Sequence, residues 1–480
     1  MNPPTNWILL INAMLGNFLA GAALRLFHVA MPTVAADLRA DILWVSWAML
    51  SYQISNVGLS LVFGRIGDLF GRQKILVAGY MAMTAGSLVC GLSSTISYLI
   101  GFRVLQGAGA AMIQAVSRAL AAEAMPEKKG GKAQGLMTTA FHLGVLFGPS
   151  IGGFIIDQLG WRWTFYFLVP FGMAGLLLNF LSRTGSARER QQHGTVDYSG
   201  ATLLMAASTT LTLLLDRRTT ELFDPLTKVI VVLLCAVSLV GFLVRESIIP
   251  NPLVDLGLFR IRMFAASSLS LLIVATNYSL SAILLPFYLQ DVLRLSPSFM
   301  GVLFMAAPIF TVTFSPVSGY LSDRVGPRLP ATLGVILLIL SVYLGSFFRT
   351  DSSWILPAVV LALLGLANGF FNPANSVGII HAVPKADMGI ASGTLTLMFS
   401  LGNILGIALA GFAMTIFFQA HSGIPAAAPT PQNPVAFVAA LNDTFLAATG
   451  VGFLAVVLSI MRGTPANQRE SAGPSPAKRT

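Results

Sequence analysis

Charge is scarce in this sequence. Asp, Glu, Lys and Arg make up 10% of its 480 residues, against roughly a quarter in a soluble domain. That shortage excludes an ordinary water-facing surface for a chain of this length. Cysteine is scarcer still. Cys90 and Cys235 are the only two, and both fall inside long apolar runs, which leaves no basis for a disulfide framework or a thiolate metal site. The sequence has no G-x-x-x-x-G-K-[S/T] loop to hold nucleotide phosphates. It also has no Ser-His-Asp pattern and no metal-ligand cluster. Neither ATP-driven pumping by this chain nor enzymatic catalysis is expected, and no cofactor or metal. The N-terminus lacks the cationic start and small-residue cleavage site of a signal peptide, so residues 7–33 read as a first span.

Apolar residues supply 55% of the chain, in runs of about 20, each long enough to cross a hydrocarbon layer of ~30 Å. The spans fall at 7–33, 43–69, 75–93, 97–122, 134–157, 162–182, 198–216, 227–247, 264–290, 298–322, 330–348, 354–380, 390–418 and 435–461. All are expected to be helical, because an isolated segment in lipid must satisfy its own backbone. Lys and Arg concentrate in the loops on the side of the N-terminus, which predicts that both termini are cytoplasmic. The formal charge of +10 therefore records orientation and does not point to nucleic acid. The stretch "SRTGSARERQQHGTVD" reads as a polar linker over 183–197. The tail at 463–480 reads as disordered.

Within this apolar chain, "GRIGDLFGRQK" (64–74) packs several charges between glycines. It has a partner in "GYLSDRVGPR" (319–328): Gly64, Asp68, Gly71 and Arg72 match Gly319, Asp323, Gly326 and Arg328. Each copy closes a span on the same side, which implies two related halves, the usual build of secondary transporters. Glycine suits a tight turn between antiparallel helices. The Asp and Arg suit a charge-assisted latch that makes and breaks as the halves rock. The predicted organisation is a six-helix bundle at 1–182, two additional helices at 198–247 and a second six-helix bundle at 248–462.

These motifs resemble those of the major facilitator superfamily. "GRIGDLFGRQK" resembles its loop 2–3 signature, "RVLQGAGAA" (103–111) its span 4 motif, and "GVLFGPSIGG" (144–153) the span 5 motif of antiporters. "WRWTFYFLVPFG" (161–172) and "NPLVDLGLFRIRMF" (251–264) resemble the fourteen-span drug:proton antiporter branch. The resemblance implies an all-α major facilitator fold and a secondary exporter of small amphipathic or drug-like compounds in a bacterial cell membrane, with protons as a coupling partner. For Arg103 it implies proton transfer or substrate binding.

The residues carry their own readings. Arg103 lies about 9 Å inside the span at one 1.5 Å rise per residue, where a cation lines a cavity or meets a partner. Gln106 follows on nearly the same face. Gly144, Gly148 and Gly152 form a small-xxx-small face, and Pro149 bends the helix, which suits a hinge. In span 1 the antiporter branch usually carries an Asp; aligned on Pro32, that position here is Ala23. Arg25 and His28 stand nearby instead, and no acidic residue is expected in the central part of any span. The pathway residues are thus Arg25, His28, Gln53, Arg103, Gln106 and His142. Two of them, His28 and His142, could titrate near neutrality. An electropositive pathway keeps two alternatives open: export of an anionic metabolite or lipid-like amphiphile through Arg25 and Arg103, or a transporter-shaped sensor or scaffold that moves nothing.

Overall fold

A computed structural model describes residues 6–125, 130–182, 198–215, 224–249, 255–380, 382–383, 388–424 and 428–462. The linker and the tail lie outside the described residues. Every regular element described is helical. The helices are α1 (Trp7–Asp37), α2 (Ile42–Phe70), α3 (Arg72–Gly91), α4 (Ile96–Glu123), α5 (Gly130–Leu159), α6 (Arg162–Tyr166), α7 (Leu168–Ser182) and α8 (Tyr198–Leu215). They continue as α9 (Pro225–Ile248), α10 (Arg262–Phe287), α11 (Pro297–Val325), α12 (Arg328–Gly345), α13 (Ile355–Ile380), α14 (Met388–Ser422) and α15 (Pro434–Ile460).

Twelve of these rods, counting α6 and α7 as one, are long and apolar enough to cross a membrane among the described residues. The two outside that set are α2 and α8. The causes differ: α2 is polar, carrying Ser51, Gln53, Ser55, Asn56 and Ser60, whereas α8 is apolar but short, over Thr202–Leu215. The expected span at 162–182 breaks at Phe167, because Pro170 has no N–H to return to the Tyr166 carbonyl.

The chain divides into two units. Unit 1 comprises residues 1–242, 282–305 and 407–440; unit 2 comprises 243–281, 306–406 and 441–480. In unit 1, α1 is the most buried rod and carries Leu19, Ala20, Ala23 and Leu26 into the core. It lies against α5 where that helix has no side chains: a methyl on Gly144 would meet the Ala22 nitrogen at 2.7 Å, and one on Gly148 would meet the Arg25 Cβ at 2.8 Å. On α4, the contacts with α2 and α3 are equally bare, at Gly107 under the Tyr52 backbone and Gly109 under the Met83 backbone. Helix α8 joins this unit by seating Met205 on Gly58 of α2.

Unit 2 repeats the pattern. The Ser55 hydroxyl of α2 donates to the Val104 carbonyl of α4 at 2.8 Å; in unit 2 the Thr311 and Ser318 hydroxyls of α11 donate to the Gly365 and Phe370 carbonyls of α13 at 3.0 and 2.6 Å. Eight residues past Gly71, Gly79 seats α3 on Ile113 of α4. Eight residues past Gly326, Gly334 seats α12 on Phe371 of α13. The internal repeat thus extends from a loop to a helix contact.

Candidate functional site

Arg103 is fully buried in unit 1. Its Nε donates to the Ala48 carbonyl at 3.1 Å and its Nη1 to Gln106 Oε1 at 2.6 Å. Its Nη2 points to the Met49 sulfur at 3.5 Å. The rings of Phe27 and Tyr52 flank the guanidinium, with centroids 4.3 and 4.4 Å away. Gln106 passes the chain on, its Nε2 donating to Ser87 Oγ at 2.8 Å, and Ser87 donates to the Met83 carbonyl at 2.7 Å. Four helices and α6 converge here, since Phe165 also lies 5.9 Å from the guanidinium. A buried cation is costly unless acceptors surround it, and this one is surrounded by the protein itself. The arrangement can tie α1, α2, α3, α4 and α6 together.

The other pathway residues are placed differently. His28 is buried beside its own helix, with Nδ1 2.8 Å from the Leu24 carbonyl oxygen. Arg25 and Gln53 are half-buried, and His142 is exposed, edge-on to Phe141 at 5.8 Å. Arg25 rests its stem on Gly148. The structure therefore gathers Arg103 with Gln106 and sets Arg25 against the glycine face of α5.

In α5 that face is shared. Gly144, Gly148 and Gly152 meet α1, while Gly153, on the next face, meets the Pro297 carbonyl at the start of α11. The contact is reciprocal, because Gly301 of α11 meets the Pro149 carbonyl of α5. Asp157 completes it by accepting a 2.8 Å hydrogen bond from the Ser298 N–H. Nearby, Gln290 donates to Thr33 Oγ1 at 2.9 Å. All of these residues belong to unit 1.

At the repeated loop, Gly71 has φ +105° and Gly326 φ +83°, a backbone that L side chains rarely adopt. Gly71 closes α2 through its N–H to the Gly67 carbonyl. Gly64 has only Ala115 near it, and Gly319 faces open space. Arg72 forms an ion pair with Glu123, the last residue of α4. The side chains of Asp68 and Asp323 lie outside the described set, and Arg328 opens α12.

Several partners were not legible in the sequence. Glu123 stood at a span end, but its alignment with Arg72 depends on how α3 crosses α4. At the opposite end of unit 1, Asp37 accepts from Trp161 Nε1 at 2.9 Å and from Arg162 Nη1 at 2.7 Å. Arg162 also donates to the Ser93 carbonyl at 3.3 Å. This clasp accounts for the first two residues of the "WRWTFY" stretch. Asp443 lies nine residues past the start of α15. Its neighbour Asn442 donates to the carbonyl of Phe348, beyond the end of α12. The first turns of α15 therefore stand past α12, and Asp443 sits at the level of a loop. In unit 2, Asn403 of α14 accepts from Ser279 of α10, and Asn372 donates to Asn368 Oδ1 at 3.1 Å. Among the described residues no group of His, Cys, Asp and Glu could hold a metal.

Long apolar helices and a repeated glycine turn make this an all-α, multi-span membrane fold. The chain belongs to the Major Facilitator Superfamily, which it matches over residues 13–258 and 267–479. It is 30% identical to the riboflavin transporter RibZ of Clostridioides difficile over 350 residues, which are 72% of this chain and 74% of that one. It is 28% identical to the multidrug export protein EmrB of Haemophilus influenzae over 66% of this chain and 62% of EmrB. Among solved structures it is similar to a bacterial homologue of the human lysosomal transporter Spinster, with a TM-score of 0.70 at 15% identity, covering 99% of this chain and 100% of that one. It is also similar to a peptide transporter POT, with a TM-score of 0.69 at 13% identity, covering 95% and 94%. The protein is a multi-pass integral membrane protein and a secondary transporter of the alternating-access type. It is a transport protein and not an enzyme.

Proposed function

We propose that this protein is a fourteen-span, proton-coupled exporter of small amphipathic compounds from a bacterial cell, with both termini cytoplasmic. The observation that carries the reading is the α5 seam. A helix with glycine on two faces, and with Pro149 between them, bears closely on α1 and on the start of α11, where Gly153 and Gly301 meet main chain. Backbone contacts of this kind suit a hinge that opens and recloses. Relatives described as multidrug export and riboflavin transport proteins support a substrate that is organic and partly apolar. The twelve qualifying helices together with α2 and α8 supply the spans, and the Gly71 turn lies on the cytoplasmic side by the distribution of Lys and Arg. Arg72 and Glu123 serve as the latch of the first bundle.

The test uses the purified chain in proteoliposomes loaded with a fluorescent amphipathic dye. An imposed pH difference is expected to drive dye movement, and Gly144→Leu, which overlaps α1, is expected to abolish it. Dye movement equal to that of empty liposomes, with and without the gradient, would sink the proposal and favour a non-transporting sensor. The anionic-substrate reading rests on Arg25 and the scarcity of acidic groups within the spans. Arg103 lends it little, because protein acceptors already occupy its guanidinium. Arg25→Ala is the discriminating variant: loss confined to anionic dyes would favour that alternative.

A further inference from the structure

Arg462 follows the last turn of α15 and is 1% exposed, yet its Nε, Nη1 and Nη2 all lack a hydrogen-bond partner. Its nearest aromatic support is the Phe371 ring of α13, with the centroid 5.4 Å from the guanidinium carbon. Burial lowers its pKa to about 9, which leaves the group charged at neutral pH. A guanidinium presents five N–H donors and no acceptor. Such a group out of water calls for an anion.

Further unmet polar atoms lie beside it in unit 2. A methyl placed on Gly378 of α13 would sit 3.2 Å from Ser267 Oγ of α10 and 3.9 Å from Arg462 Nη1, so both groups face one point. The Ser267 hydroxyl is buried and unpartnered. Asn375 lies one turn before Gly378, and neither end of its buried amide has a partner. The Met263 methyl stands 3.5 Å from the same point, so a side chain at 378 would crowd all three groups. The Thr332 and Ser459 hydroxyls, 2.8 Å apart, fasten α12 to the last turn of α15, which holds Arg462 at the Gly326 end of this unit. The donors are a fork and a hydroxyl that meet at Gly378, with the unpartnered Asn375 amide one turn away on the same helix.

We propose that Arg462, Ser267 and Asn375 form a binding site for a phosphate-type oxyanion at the Gly326 end of unit 2. A tetrahedral oxyanion offers the bidentate edge that arginine binds best and spare oxygens for a hydroxyl and an amide N–H. Both the free ion and the headgroup of an anionic phospholipid carry that chemistry. The site is separate from the pathway residues of unit 1, and its occupancy is read without measuring transport.

The experiment follows thermal unfolding of the full chain in a zwitterionic detergent. Inorganic phosphate is compared with chloride at matched ionic strength. In a second arm the chain is placed in nanodiscs of phosphatidylcholine with and without phosphatidylglycerol. Phosphate is expected to raise the wild-type unfolding temperature, with half-saturation shifted at least tenfold in Arg462→Gln and several-fold in Ser267→Ala. A rise produced by phosphatidylglycerol alone, and lost in the same variants, would assign the site to a lipid headgroup. Should Arg462→Gln not fold, Ser267→Ala and Asn375→Leu carry the comparison. Equal responses of wild type and variants in both arms, or no response of the wild type to either, would overturn the proposal.

Discussion

Arg103 and Arg462 are the two largest fully buried side chains among the described residues, and they stand in opposite circumstances. Arg103 meets a carbonyl, an amide oxygen, a sulfur and two flanking rings. Arg462 meets one ring at longer range and no acceptor. Burial is therefore a poor guide to role. A guanidinium whose donors are all engaged by its own bundle acts as a cross-brace. One whose donors are all unmet is stabilised when something else arrives.

Substitutions can break that contrast. The largest effect belongs to Arg103→Met, which strands Gln106 Oε1 and removes the guanidinium from between the Phe27 and Tyr52 rings inside unit 1. It should cost about 3–5 kcal/mol, measured by unfolding in detergent. Gln106→Leu removes one acceptor and leaves Nη1 unmet, so a loss of about 1–3 kcal/mol is expected in the same assay. Arg462→Met should behave in the opposite sense: in phosphate-free detergent without anionic lipid it should lie within about 1 kcal/mol of wild type, or above it. A loss as large as that of Arg103→Met would erase the distinction between the two arginines. The smallest effect belongs to Arg72, whose partner Glu123 is partly exposed. Glu123→Gln should change stability by only about 0.2–1 kcal/mol, and its consequence should appear in the rate of dye movement in proteoliposomes.

The sequence pointed to Arg103 and Gln106 because a cation and an amide three residues apart inside an apolar run are costly to bury. It could not point to Ala48, Met49 or Ser87, which come from two other helices and contribute chiefly through backbone or soft atoms. The Gly71 and Gly326 turns were readable from their repeat, since a positive φ needs glycine wherever it recurs. Their companions Gly64 and Gly319 looked equivalent on paper, yet neither is tightly packed. Asp443 lies within α15, yet its neighbour Asn442 reaches a loop carbonyl past the end of α12, so helix length is no measure of membrane depth. Arg462 drew no reading from the sequence, where it stands just past the last span. Only the packing of α10 and α13 around it reveals that water does not reach it.

The reciprocal meeting of Gly153 with Pro297 and Gly301 with Pro149 has a kinetic corollary. At these glycines main chain meets main chain, and the Asp157 side chain adds a rotor to be fixed on closing, so the entropy that slows the remaking of this interface is small. A seam of that kind can cycle many times without finding a wrong register.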